Sequence, residues 1–173
     1  MPGPAPRRRV RRLRDPLMRL AYRIGYWCLR GEARVLGRPG RGVKCLLSRD
    51  GEILLVRHTY GERHGWRAPG GRRRRGEGAA AAAAREMHEE LGLEGADWRE
   101  LATLALRLDG RNVNVACLHA DVGDRQLWFD AGEIADARFF AAEQLPEQLA
   151  EGELRVLGLL ALPFSRFSGE TSS

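Results

Sequence analysis

A chain of 173 residues, 43% of them hydrophobic, has room for one domain with a substantial core. No apolar run is long enough to cross a bilayer and no secretory signal pattern opens the chain. Three scattered cysteines, Cys28, Cys45 and Cys117, fit neither a disulfide framework nor a metal-ligand spacing, so buried thiols in a reducing, cytoplasmic setting are expected. The net charge of +6 is unevenly spread: residues 1–42 hold twelve arginines against Asp15 and Glu32, a surplus of ten, which leaves the rest of the chain at −4. Such asymmetry suggests a basic extension that meets an anionic surface and argues against a nucleic-acid-binding core. The single lysine, Lys44, among so many arginines reads as a mark of a GC-rich genome and not of function.

Residues 1–14, MPGPAPRRRVRRLR, are rich in proline and arginine and are expected to lack structure on their own. Asp15 and Pro16 then form a helix start, a capping side chain followed by a proline at the first helical position. Leu17, Leu20, Ala21, Ile24, Trp27 and Cys28 recur at helical spacing, with Arg19, Arg23 and Arg30 elsewhere on the wheel. One reading is a basic amphipathic helix that lies on an anionic membrane surface through residues 7–30, peripheral to its inner face. The competing reading is a helix packed on its own domain or a partner subunit; RNA contact and organelle targeting are further alternatives. Gly31 to Gly42 reads as a linker, so residues 1–42 form an extension.

Val43 to Ser48 and Glu52 to His58 are apolar runs separated by Arg49-Asp50-Gly51, the pattern of a β-hairpin. A loop over Tyr60 to Gly65 and a short strand over Trp66 to Pro69 follow. Beyond a central helix, Trp98 to Leu108 and Asn112 to Val122 read as paired strands, and Asp124 to Gly132 as a loop exposing Trp128 and Phe129. Ala137 to Ala141 reads as a strand, Glu143 to Ala150 as a short helix broken by Pro146, and Glu153 to Leu162 as a helix before a loose tail at 163–173. Strands, a helix, more strands and closing helices indicate an α/β fold, a mixed sheet packed between helices.

The chain is organised around Gly71 to Leu93, GRRRRGEGAAAAAAREMHEELGL. Six alanines before Arg85 favour a helix strongly, because alanine loses no side-chain entropy on folding. Glu86, Glu89 and Glu90 stand at i, i+3 and i+4, which gathers three carboxylates on one face. Their repulsion is what a hard divalent cation with oxygen ligands would relieve. Ala80, Ala83, Ala84, Met87 and Leu91 line the adjoining stripe, expected to dock on the sheet. Gly92 reads as the C-terminal cap.

The segment resembles the Nudix box, G-x5-E-x7-R-E-U-x-E-E-x-G-U with U aliphatic, at every fixed position, and Trp66-Arg67-Ala68-Pro69-Gly70 resembles the strand and turn that lead into it. The resemblance covers roughly Val43 to Leu162 and implies a Nudix-type α/β/α sandwich over residues 43–162. It also implies hydrolysis of the pyrophosphate bond of a nucleoside diphosphate linked to another moiety, with Mg²⁺ or Mn²⁺ as cofactor. Carried over, Glu86, Glu89 and Glu90 are the metal ligands, Glu86 or Glu89 doubling as the base, and a carbonyl near Gly70 completes a metal site. Arg85 pairs with Glu77 to orient the glutamates, and Gly70 and Gly71 let the backbone turn closely.

Substrate contacts are sought at Arg57, at Arg72 within the run Arg72 to Arg75, and at Tyr60, with Trp128 or Phe129 as further stacking groups. For the run, a solvated charge cluster is the competing reading. Glu133 and Asp136 are candidates for a second carboxylate outside the box. The four histidines form no constellation with a nucleophile or zinc spacing. No proline follows the box as in ADP-ribose hydrolases, nor the tyrosine of dinucleoside polyphosphate hydrolases, which weakens both classes. The alternatives are a Nudix-fold binding module without turnover and a membrane-associated hydrolase of a lipid-linked diphosphate. A homodimer is expected by analogy alone.

Overall fold

The computed structural model describes residues 11–13, 40–59, 65–108, 111–130 and 133–167. The expected N-terminal helix and Tyr60 lie outside the described residues. Arg11–Leu13, expected to lack structure, forms a short strand, β1. The following strands are β2 (Gly40–Arg49) and β3 (Glu52–His58), then helix α1 (Ala79–Leu91), strands β4 (Arg99–Leu108), β5 (Arg111–Asp121), β6 (Trp128–Asp130) and β7 (Ile134–Phe140), and helix α2 (Glu153–Phe167).

Five strands form one mixed sheet in the order β4-β5-β2-β3-β7, and β1 pairs with β6 in parallel as a separate two-stranded sheet. Only β2 and β5 run parallel in the large sheet; β4–β5, β2–β3 and β3–β7 are antiparallel. Alternation along the strands sorts the core into two layers. Val43, Cys45, Leu47, Leu54 and Val56 face α1, where they meet Ala83, Met87 and Leu91. Leu46, Leu55, Val115 and Cys117 face the other way, toward Val156 and Leu160 of α2. The expected α/β/α sandwich is therefore the fold.

The β2–β3 turn holds Asp50 at φ 50° and Gly51 at φ 80°, the two left-handed positions of a tight hairpin. The hairpin is short, however: β2 and β3 pair only at Ser48↔Ile53 and Arg49↔Glu52, then separate. The segment Trp66–Arg73 fills the gap. Arg67 exchanges two backbone hydrogen bonds with Val56 of β3, whereas Pro69, Gly71 and Arg73 bond to Cys45, Val43 and Arg41 of β2. The box is thus delivered through the split between two strands of its own sheet.

Several expectations are corrected. Trp128 and Phe129 are not on an exposed loop: they lie in β6, Phe129 is buried in the α1 layer, and the Trp128 indole rests on Gly92, so neither is free to stack on a base. Pro146 leaves only a single 3₁₀ turn, Ala142–Gln144, because proline supplies no N–H to a helix interior. Helix α2 runs past Leu162 to Phe167, so the tail is shorter than expected. The buried stripe of α1 is Ala79, Ala82, Ala83, Met87, Glu90 and Leu91, whereas Ala80 and Ala84 are exposed. The helix is rolled so that Glu90 belongs to its buried side.

Candidate metal and phosphate site

The three glutamates of α1 are graded by that roll. Glu90 is buried at 2% exposure, the Glu86 side chain is 14% exposed and that of Glu89 50%. An i, i+3, i+4 trio spans about a hundred degrees of a helix, so its members cannot share one depth when one edge packs on a sheet.

The turn before the helix fits this gradient closely. A β-carbon at Gly71 would overlap the Glu86 carboxyl group, so only glycine leaves room for it. The backbone N–H of the neighbouring Gly70 lies close enough to Glu90 to favour its charged form. At the far end Gly92 adopts φ 61°, its N–H bonds to the His88 carbonyl, and Leu93 N–H reaches back to that of Met87. This is the expected left-handed C-cap, and the Trp128 ring occupies the space a side chain there would need.

Arg85 joins the loop to the helix. Its Nε and Nη2 reach both Glu77 carboxylate oxygens at 2.9 Å, Nη2 also donates to the Arg72 carbonyl at 2.9 Å, and Nη1 donates to Glu86 Oε1 at 2.7 Å. The Arg74 N–H adds a 2.7 Å bond to Glu77. The Arg85 hydrogen bond, then that N–H, hold the Glu77 carboxyl down at about 2. The same contact with Glu77 raises Arg85 further above its ordinary range. A bidentate pair of this kind fixes orientation as well as energy.

The deeper acids move the other way. Burial raises the Glu86 carboxyl, with the charges of Glu89 and Glu77 adding to it and Arg85 opposing. Burial raises Glu90 well above the carboxylate range, followed by the charges of Glu133 and Glu86; the Gly70 N–H opposes without prevailing. Glu90 Oε2 is buried with no hydrogen-bond donor. Burial raises the Cys45 thiol as well, with the charges of Glu90 and Glu86 adding to it. A buried acceptor left unpaired beside two further carboxylates is costly for the metal-free chain.

Among the described residues, no three acid, imidazole or thiol groups are already gathered tightly enough to hold an ion as they stand. Glu89 instead leans toward Arg85 Nη1 at 3.6 Å and Arg74 Nη2 at 4.0 Å, with half its surface free to turn. The donor set nonetheless suits a hard divalent cation: all ligands are oxygens, one has no donor, and their mutual repulsion is what positive charge removes.

Of the sequence-derived candidates outside the helix, Glu133 lies near enough to raise Glu90, and its carbonyl accepts from Thr59 N–H and Oγ1, which joins the ends of β3 and β7. Arg57 does not face α1. It shares the face of Leu55, donates to Asp136 at 3.2 Å and lies over the Trp66 ring at 4.8 Å. Burial alone would raise Asp136, but Arg138 and Arg57 outweigh it and lower the carboxyl. The arginine run folds back on the box: Arg73 donates to the Glu77 carbonyl, and Arg72 bridges Gly42 through its backbone.

Sequence reasoning missed Lys44 and Glu153. They form a buried ion pair at 2.6 Å, with Lys44 Nζ also on the Ala68 carbonyl at 3.1 Å and Glu153 Oε1 accepting from Ala68 N–H at 2.8 Å. The available signal was a lone lysine inside the apolar run Val43-Lys44-Cys45-Leu46-Leu47, set aside as codon bias.

The NUDIX domain family model matches residues 38–160, and the chain belongs to this family. An uncharacterized Nudix hydrolase of Pseudomonas aeruginosa is 36% identical over 124 residues, 69% of this chain and 73% of that protein. An RNA pyrophosphohydrolase of Cronobacter sakazakii is 35% identical over 96 residues, 53% of this chain; the chain spans about half, 52%, of that relative's length. A MutT NUDIX hydrolase from Burkholderia pseudomallei has a solved structure that superposes with a TM-score of 0.62 at 26% identity, covering 71% of this chain and 98% of that one.

Proposed function

We propose that this chain is a divalent-metal-dependent pyrophosphohydrolase that cleaves a nucleoside diphosphate linked to another moiety. Glu86, Glu89 and Glu90 would hold Mg²⁺ or Mn²⁺, with Glu133 beside them as a fourth acid. The observation that carries the reading is the buried, donorless oxygen of Glu90 next to Glu86 on the box helix. Natural chains keep such an arrangement where function needs it.

Cleaving a phosphoanhydride requires water to attack phosphorus while negative charge spreads over the oxygens, so positioning and charge neutralisation lower the barrier. A bound divalent ion would supply the neutralising charge and favour ionisation of the attacking water. The chain's own residues do the rest. Glu86 or Glu89 receives the proton of the water; the Arg85 contact fixes the orientation of Glu86, and the exposure of Glu89 gives it the freer approach. Arg85 keeps Glu86 in one orientation, and Glu77 keeps Arg85. Arg74 Nη2 stands 4.0 Å from Glu89, and the exposed side chains of Arg72, Arg74 and Arg75 would attract a polyphosphate.

Chromatographic separation of products formed with Mg²⁺ or Mn²⁺ tests the reading over nucleoside diphosphate sugars, dinucleotides, nucleoside triphosphates and a 5′-triphosphorylated RNA oligonucleotide. Turnover of at least one class, abolished by chelator, is expected. Tight binding of a panel member with no turnover of any would instead establish a binding module.

A further inference from the structure

We infer that the buried Lys44–Glu153 pair positions the metal-binding turn, by gripping Ala68, the residue at which the lead-in segment passes from one flanking strand to the other. The inference rests on the metal-site reading above.

The segment from Trp66 to Gly71 changes partner partway. Arg67 bonds to Val56 of β3 at 2.8 and 3.0 Å, whereas Pro69 and Gly71 accept from Cys45 and Val43 of β2 at 2.8 and 2.9 Å. Ala68 is the residue of the crossing. It is 1% exposed, and its N–H and C=O fall outside both sets of strand bonds. Buried backbone groups in that situation need partners from elsewhere. Glu153 Oε1 accepts from the N–H at 2.8 Å, Lys44 Nζ donates to the C=O at 3.1 Å, and the two side chains close the circuit at 2.6 Å. Glu153 comes from the first turn of α2, so the opposite layer of the sandwich reaches through to the turn.

What the grip controls lies two and three residues on. Gly71 seats the Glu86 carboxyl against its α-carbon, and the Gly70 N–H beside it lies close enough to Glu90 to favour its charged form. The backbone of these two glycines has no side chain to hold it in place, so its position is set by the grip on Ala68 together with the Cys45 bond to the Pro69 carbonyl on one side, and by Val43 on the other. A displacement of Ala68 therefore moves the N–H that supports Glu90 and the surface on which Glu86 rests.

The choice of residue agrees. Every other basic residue of the chain is arginine, yet lysine stands here. A compact ammonium with separately directed donors can serve a carbonyl and a carboxylate together in a confined space, whereas a planar guanidinium needs room for its fork. An ion pair present only to join α2 to the sheet would have no need to engage both backbone polar groups of one residue.

Glu153→Asp keeps the charge but withdraws the carboxylate from Ala68. Val156→Ala, one turn along the same helix in the same core layer, loosens α2 without touching that peptide. Full-length proteins are compared for Mn²⁺ binding by electron paramagnetic resonance, for hydrogen exchange at the Gly70 amide without metal, and for kcat and KM. Unfolding midpoints confirm that both variants are folded at the assay temperature. The expected result is Mn²⁺ affinity weakened by about tenfold or more in Glu153→Asp, within the range for residues that orient ligands. Gly70 exchange should be faster and kcat lower with KM little changed, while Val156→Ala behaves as wild type in all three. Equal Mn²⁺ affinity and equal Gly70 exchange in Glu153→Asp and wild type would overturn the inference. If wild type itself bound no Mn²⁺, the metal-site reading would fail instead, and Gly70 exchange alone would decide whether the pair positions the turn. Should Glu153→Asp not fold, Glu153→Gln, which retains an acceptor for Ala68 N–H but leaves Lys44 without its counter-charge, replaces it under the same criteria.

Discussion

Two glutamates lie almost wholly inside this protein, on opposite faces of one sheet, and their surroundings are opposites. Glu153, 1% exposed, faces an ammonium at 2.6 Å and a peptide N–H at 2.8 Å, so both its oxygens are served. Glu90, 2% exposed, has the Gly70 N–H on its side but two other carboxylates as neighbours and one oxygen with no donor. Equal burial has thus produced one group whose charge is matched and one whose charge is opposed. The first arrangement stabilises a fold; the second lowers stability in the absence of a ligand and makes binding of a cation favourable. The difference separates the structural layer from the functional layer of the sandwich.

The largest effect expected from this contrast is at Glu90. Glu90→Gln should lower turnover by more than about a hundredfold, beyond what loss of a supporting residue causes. It should also raise the thermal midpoint of the metal-free protein, because an opposed buried charge has been removed. A lowered midpoint would show that Glu90 contributes to the fold as Glu153 does. Next comes the paired acid. Lys44→Met leaves Glu153 charged and alone, and denaturant unfolding should show a loss of about 3–5 kcal/mol. The double variant Lys44→Met/Glu153→Leu should recover part of it, not all, since Ala68 still lacks partners for its N–H and C=O. Full recovery would mean that the pair serves packing alone.

The smallest effect concerns the surface-proximal pair, Arg85 with Glu77. The folded Glu77 carboxyl titrates at about 2, below its unfolded value near 4.5. A depressed carboxyl contributes stability that is complete above the unfolded value and disappears as pH falls through the folded one. Wild type should therefore lose stability between about pH 4.5 and pH 2 more steeply than Glu77→Gln, in unfolding curves taken across that window. Coincident slopes would remove Glu77 from the supports of the site.

Much of this was legible beforehand for a definite reason. The box pattern is local: Gly71, Glu77, Arg85, Glu86, Glu89, Glu90 and Gly92 lie within one turn and one helix, where spacing in the chain becomes spacing in space through helical periodicity. The Gly92 cap and strands β2 to β5 follow from such short-range rules, whereas the Arg85–Glu77 pair was implied by the family resemblance. The errors fall where longer-range packing intervenes. Trp128 and Phe129 looked like loop residues because β6 is only three residues long, too short for an alternation to show. Ala80 and Ala84 were placed on the buried stripe because alanine carries little information about facing, and the sheet rolled the helix toward Glu90 instead.

By itself, then, the sequence determined which residues gather on one helix and that their chemistry is that of hard oxygen ligands, because a helix converts order in the chain into a face without help from the rest of the molecule. Only the tertiary structure decided how deeply each acid is buried, which of them has a partner, and that Lys44 and Glu153, 109 positions apart, meet around the peptide of Ala68. Depth and pairing depend on what packs against a residue from distant parts of the chain, and no local spacing contains that.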